Sequence, residues 1–269
     1  MTRVDCENIK ETAHAMADAA RRAVLPFFRS AGLEAADKGD KIFDGGFDPV
    51  TEADRNAETV MRDILATSRP DDAIIGEEHG ITEGTSGLTW VLDPIDGTRG
   101  FITGTPTWGV LIAVSDENGP IFGMIDQPYI GERFWGGFGE ARMTGPQGEH
   151  ALGVRGSRPL AEAMLFTTFP EVGTIEERQA FEAVAREVKL VRYGMDCYAY
   201  ALLAAGQVDL VIEAGLSNYD IQGPIGVIAA AGGIVTDWQG GPAHNGGRVV
   251  AAAGKEQHAA ALEILKGIE

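Results

Sequence analysis

The chain has 269 residues, 44% of them hydrophobic, and a formal charge of −18, from 22 Lys plus Arg against 40 Asp plus Glu. That apolar content can bury a sizeable core, while so acidic a surface repels nucleic acid and anionic lipid and argues against both as partners. It would also repel an anionic substrate, unless bound divalent cations invert the local field.

Apolar residues at helical spacing, including Ile9, Ala13, Met16, Ala20 and Val24, predict an amphipathic helix over residues 7–28. Residues 39–47 are rich in Gly and Asp and read as a mobile loop. Thr51 has the character of an N-cap, followed by a helix over 52–66. From Ala73 the texture changes to short apolar runs bounded by turn residues. These predict strands at 73–76, 89–92, 107–114 and 121–127, with two shorter ones at 132–136 and 140–143. Helices are expected at 176–188, 195–205, 221–231 and 256–266, with strands at 208–213, 233–237 and 248–253. Helices and strands mix throughout, around an antiparallel meander. The expected fold class is therefore α/β, or layered α+β, and residues 1–269 are expected to form one domain.

Cys6 and Cys197 stand too far apart in sequence to form a disulfide framework or a C-x-x-C pair. The N-terminus lacks a secretory pattern, and no segment has the length to span a bilayer. A reducing, cytoplasmic location is the expectation.

Acidic residues gather where strands are expected to stop. One expected strand ends at Glu77-Glu78; another runs into Asp93-Pro94-Ile95-Asp96-Gly97-Thr98; Asp220 comes just before a helix. Carboxylates supply the oxygen and charge that a hard cation such as magnesium requires. Pro94 interrupts strand pairing and fixes a bend, so Asp93, the Ile95 carbonyl and Asp96 can face one point. Gly97 permits close approach, and Thr98 starts a short helix whose amides can receive a phosphate. Each piece also has a plain structural reading. Glu77-Glu78 can be a solvated turn, Asp93 can cap a turn, Asp54 can complete a capping box with Thr51, and Asp220 can be an N-cap. The order and flanks in which they occur favour a common site. The five histidines lack metal-ligand spacing, which argues against zinc, and no G-x-S-x-G elbow is present.

These motifs resemble the inositol monophosphatase family. They are Asp48-Pro-Val-Thr-Glu-Ala-Asp54, Gly76-Glu-Glu78, Trp90-Val-Leu-Asp-Pro-Ile-Asp-Gly-Thr98, and Tyr219-Asp220 with Ala231-Gly-Gly233. The resemblance implies an αβαβα sandwich, a homodimer and about two to three magnesium ions per site. It further implies that Glu77, Asp93, the Ile95 carbonyl, Asp96 and Asp220 are metal ligands. Glu77 and Thr98 act on the attacking water, Asp54 orients Thr98, and backbone amides near Gly97 and Thr98 hold phosphate oxygens. Direct attack by water without a phosphoenzyme is then expected.

Thr98-Arg-Gly-Phe101, Pro106-Thr-Trp-Gly109 and Tyr193-Gly-Met-Asp-Cys-Tyr-Ala-Tyr200 are most similar to the histidinol-phosphate phosphatase branch of that family. Histidinol phosphate carries an ammonium group, and Asp196 and Glu213 can favour it by charge-assisted hydrogen bonds. Asp196 can equally be a helix-start residue favoured by the dipole. The alternatives are an inositol-1-phosphatase or other sugar-phosphate phosphatase, a nucleotidase acting on 3′-phosphoadenosine 5′-phosphate, and a non-catalytic protein of the same fold. Pro224 is expected in the first turn of its helix, and either Lys38 or Lys41 can be the family's mobile-loop lysine.

Overall fold

A computed structural model of the chain describes residues 3–31, 33, 36–37 and 49–267. The expected loop at 39–47, with Lys38 and Lys41, lies outside the described residues. In chain order the elements begin with α1 (Arg3–Val24), a two-residue pair β1 (Ala36–Asp37) and β2 (Pro49–Val50), and α2 (Glu52–Ser68). Next come β3 (Ala73–Gly76), β4 (Gly80–Thr82), β5 (Thr89–Asp96), α3 (Thr98–Thr103), β6 (Gly109–Asp116) and β7 (Gly119–Gln127). They continue with β8 (Glu132–Gly137), β9 (Glu140–Gly145), β10 (Gly148–Ala151), β11 (Met164–Thr167), α4 (Ile175–Ala185) and β12 (Leu190–Tyr193). The last are α5 (Tyr198–Ala204), β13 (Leu210–Leu216), α6 (Asn218–Ala230), β14 (Ile234–Thr236), β15 (Gly247–Ala252) and α7 (Lys255–Lys266).

Two larger sheets organise these elements. One has eight strands in the order β10-β9-β8-β7-β6-β5-β3-β4, and the other five in the order β12-β11-β13-β15-β14. Side-chain alternation shows what covers each face. Val110, Ile112 and Val114 of β6 and Phe122 and Met124 of β7 pack with Ile9, Met16, Met61 and Leu65 of α1 and α2. Leu111 and Ile125, one residue out of phase, point the other way, against Ile221, Val227 and Ile228 of α6. Likewise Val211, Val249 and Ala251 face this middle layer, while Leu210, Ile212, Val250 and Ala252 face Phe181, Val184 and Leu265 of α4 and α7. The layers therefore run helix, sheet, helix, sheet, helix, as expected.

Glycines set the spacing of the middle layer. A Cβ on Gly226 of α6 would overlap the backbone of Gly123 in β7, and one on Gly136 of β8 would crowd Val227 and Ala230. The α6 backbone therefore lies directly on the sheet.

Several boundaries differ from the sequence expectation. The first helix ends at Val24 rather than residue 28, because the ring of Pro26 cannot continue a helix. Short strands β4, β10, β11 and β12 were not anticipated; β4 and β10 are exposed throughout and carry no apolar alternation. The helix expected at 195–205 begins at Tyr198, so Asp196 does not open it. Asp220 is the third residue of α6 rather than its cap, which is Ser217. Pro224 then falls in the second turn instead of the first. Its missing N–H leaves the Asp220 carbonyl without its regular helical donor.

Candidate active site

β3 and β5 run parallel, with Gly76 opposite Leu92, and the amide of Glu77 donates to the Leu92 carbonyl at 3.2 Å. Two parallel strands end at the same edge, so Glu77 emerges beside Asp93. The turn after Glu77 is held from below by the buried Glu58, whose carboxylate accepts from the amides of Glu78 (2.6 Å) and His79 (3.1 Å) and from Arg62 (2.7 Å). Sequence reading missed Glu58, because a lone Glu in a helix carries no signal of its tertiary partners.

In a regular strand, residues three apart face opposite sides. Asp93 pairs with Leu111 and Asp96 with Gly109, so three steps on β5 match two on β6. The extra residue is a β-bulge, placed where Pro94 has no N–H to give the ladder. Leu92 and Ile95 both pack in the outer helical core, and Asp96 returns to the side of Asp93. The bend expected at Asp93–Asp96 is this bulge, with the Ile95 amide donating to Asp93 Oδ1 at 3.0 Å.

Asp220 reaches the same point from the first turn of α6. Its Oδ2 accepts from the Ser217 amide at 2.7 Å, closing a capping box. Carboxylate oxygens of Asp93, Asp96 and Asp220 lie within 4.8 Å of one another. Burial pushes the Asp93 carboxyl well above the usual carboxylate range, and the charges of Glu77, Asp96 and Asp220 push it further. Asp96 is pushed up to about 7 by burial and by Asp196, although its Oδ2 accepts from the Cys197 amide at 2.7 Å. Several carboxylates at close quarters repel one another when ionised, and a bound divalent cation offsets that repulsion. The donor set is all oxygen and largely charged, which suits magnesium.

Gly97 joins β5 to α3 with φ 80°, and a Cβ there would meet Asp196 Cγ at 2.7 Å, so no other residue fits without displacing Asp196. Thr98, first in α3, donates its hydroxyl to the Ile95 carbonyl at 3.1 Å. Asp54 accepts from both the amide (2.8 Å) and hydroxyl (2.6 Å) of Thr51, the capping box of its plain reading. Its other oxygen is buried with no hydrogen-bond partner among the described residues, and burial raises its pKa to about 6. No hydrogen bond joins Asp54 to Thr98, although α3 packs against β2, just ahead of that cap. The first turn of α3, like that of any helix, leaves amides without intrahelical acceptors.

These groups line a cavity of about 150 Å³. Glu77, Asp93, Ile95, Asp96, Gly97, Thr98 and Asp220 all line it, together with Asp196 and Glu213. Asp196 sits before α5 at φ 45°, and its Oδ2 accepts from the Thr107 hydroxyl at 2.7 Å. Burial raises its pKa, opposed by Thr107 and the nearby Arg99. Glu213, on β13, accepts from the Thr167 hydroxyl and from the amide and hydroxyl of Thr168 at the end of β11. Burial still raises it to about 7, and Asp196 adds to the shift. Arg99, stacked 4.9 Å over the Phe169 ring, is the cationic side chain among the cavity-lining residues. Arg99 and Tyr200 were visible in the sequence only as members of motifs, and Thr168 and Phe169 carried no signal; the folding of β11, α3 and α5 brings all four to one cavity.

The model of the family described as inositol monophosphatase matches residues 5–268. A bifunctional phosphatase from Arabidopsis thaliana, IMPL2, chloroplastic by its name, is 42% identical over 264 residues, 94% of this chain and 73% of that protein. A histidinol-phosphatase from Streptomyces coelicolor is 34% identical over 253 residues, covering 90% of this chain and 91% of its own. The solved structure of an inositol monophosphatase from Zymomonas mobilis superposes with a TM-score of 0.84 at 36% identity, over 99% of this chain and 100% of that one.

Proposed function

Because the chain belongs to the inositol monophosphatase family and is thus a metal-dependent hydrolase of phosphate esters, we propose that it uses magnesium to convert L-histidinol phosphate to L-histidinol and phosphate, a step of histidine biosynthesis. The observation that carries the choice of substrate is the presence of Asp196 and Glu213 on the wall of the cavity that holds the acidic cluster. A phosphate needs the cluster's cations; two further carboxylates can accept from a polyol's hydroxyls, but they hold an ammonium group more strongly because both partners are then charged. The likeness to a histidinol-phosphatase supports the same reading.

Glu77, Asp93, the Ile95 carbonyl, Asp96 and Asp220 would hold two or three magnesium ions. When bound, magnesium acidifies water and offsets charge on the phosphoryl oxygens. Glu77 and Thr98 orient the attacking water, and Asp54 supports Thr98 from the start of α2. The amides of Gly97 and Thr98 take phosphoryl oxygens, and Asp196 and Glu213 seat the leaving alcohol. Water attacks in line, so no phosphoenzyme forms; isolation of one would contradict this reading. The working form is a cytoplasmic homodimer in which the whole chain serves as one phosphatase domain.

A second reading, an inositol-1-phosphatase, is favoured by the Zymomonas mobilis neighbour at 36% identity. Phosphate release from histidinol phosphate, inositol 1-phosphate and glycerol phosphate, each with and without magnesium, separates the two. Turnover should require magnesium and favour histidinol phosphate. Equal or faster turnover of inositol phosphate would remove the substrate assignment and leave the phosphatase class standing.

A further inference from the structure

Tyr200 brings to the cavity a hydroxyl to which neither the acidic cluster nor the carboxylate pair is hydrogen-bonded. Tyr200, in the first turn of α5, is 3% exposed and lines the cavity beside Asp196, Cys197 and Glu213. Its hydroxyl has no hydrogen-bond partner among the described residues. The ring packs in the middle-layer core with Ala201, Leu203 and Ile221. A phenylalanine would pack there as well and leave no polar atom unpaired. A buried hydroxyl without a partner is destabilising, and folded proteins rarely keep one without a use.

The surroundings indicate what the hydroxyl meets. Burial pushes its pKa well above that of an ordinary phenol, and Glu213, Asp96 and Asp220 act in the same direction, so it remains a neutral hydroxyl. Those carboxylates and Tyr200 itself line the same cavity. A primary ammonium has three N–H donors. Asp196 and Glu213 supply two acceptors, each already steadied by threonine donors. A third acceptor is needed to saturate the ammonium, and a neutral oxygen supplies it without adding another charge to an acidic wall.

We propose that Tyr200 determines specificity, its hydroxyl oxygen accepting a hydrogen bond from a protonated amine on the leaving alcohol and completing a three-acceptor seat with Asp196 and Glu213. This inference rests on the substrate class proposed above.

The test compares Tyr200→Phe with wild type on two substrates, histidinol phosphate and its deaminated analogue, 3-(imidazol-4-yl)propyl phosphate. The preference for the amine-bearing compound, read as a ratio of kcat/KM values, should fall about tenfold in the variant, because a buried acceptor for one N–H is lost. The Tm of Tyr200→Phe should equal or exceed that of wild type. A wild-type enzyme with no preference for the amine overturns the substrate reading and this inference with it. A wild type that prefers the amine, with a variant that prefers it as strongly or loses both activities in equal proportion, overturns this inference alone. So does a clear fall in Tm, which would assign the hydroxyl a structural partner.

Discussion

Glu213 can attract an ammonium only while ionised, and burial sets its pKa at about 7. Below that pH it is largely neutral and the attraction is lost; above it the charge is present. We therefore expect kcat/KM for histidinol phosphate to fall as pH drops through about 7, and Glu213→Gln to be low throughout and lack that limb. Stability runs the other way. A carboxyl whose folded pKa is raised contributes stability that is fully present below its unfolded value and lost as pH rises through the folded value. Thermal melts should show Glu213→Gln gaining on wild type between roughly pH 5 and pH 8. Asp93 sits in a cluster whose charges oppose its own ionisation. Asp93→Asn should lower kcat by at least about a hundredfold, since one of the carboxylates proposed to hold the magnesium that offsets phosphoryl charge is gone. The metal-free variant should melt no lower than wild type, because a buried charge has been removed. A lower Tm with intact activity would refute both halves. At this scale the sequence was informative about residue type: carboxylates suit a hard cation, and the Asp93, Asp96 and Asp220 that the structure clusters stood out in their motifs. The state of the Tyr200 hydroxyl and the partners of Glu58 were not legible, because an unpaired hydroxyl or a buried cap is defined by neighbours distant in sequence.

The clustered carboxylates are brought together by two element-level devices. The β5 bulge turns Asp96 back to the face of Asp93, and the glycine contact between α6 and β7 sets the depth from which Asp220 reaches the cluster. Gly226→Ala should force α6 off the sheet. The expected cost is about 1–3 kcal/mol of stability, as for other overpacked interiors, with weaker magnesium binding because Asp220 moves with the helix. Chemical denaturation and magnesium titration by calorimetry measure the two effects; an unaffected magnesium affinity would show that α6 does not set the geometry of the site. The helices with strong apolar periodicity, α1 and α2, were legible in the sequence. The four-residue strands β11 and β12 were not, since so short a segment pairs only because its neighbours in the sheet demand it. The start of α5 was misplaced for a related reason: Asp196 takes a left-handed backbone conformation to present its carboxylate to Thr107 and the cavity.

Across the whole molecule, the charge of −18 and the acidic cluster in the cavity act together. A cation bound only to the folded state stabilises it by mass action, about 2.7 kcal/mol at a hundredfold excess over Kd. Magnesium should therefore raise the Tm by several degrees, a chelator should reverse the rise, and Asp93→Asn should abolish most of it. Sodium chloride at matched ionic strength should have a much smaller effect; an equal rise would show general screening of the acidic surface rather than a built site. No helix among the described residues is long and apolar enough to cross a membrane, and both cysteines are free.

The sequence by itself determined the chemistry available, because the types and order of residues in its motifs are covalent facts: carboxylates for a hard cation, a proline-broken strand, a glycine before a short helix. Its two periodicities also determined the layered class of fold. Only the tertiary structure decided which of those carboxylates meet, that Asp196 and Glu213 share a cavity with the cluster, and that Tyr200 stands among them with its hydroxyl unpaired. Convergence depends on strand register, on a one-residue bulge and on the close approach of two glycine-lined backbones. Each of these is fixed by packing between segments that lie far apart along the chain.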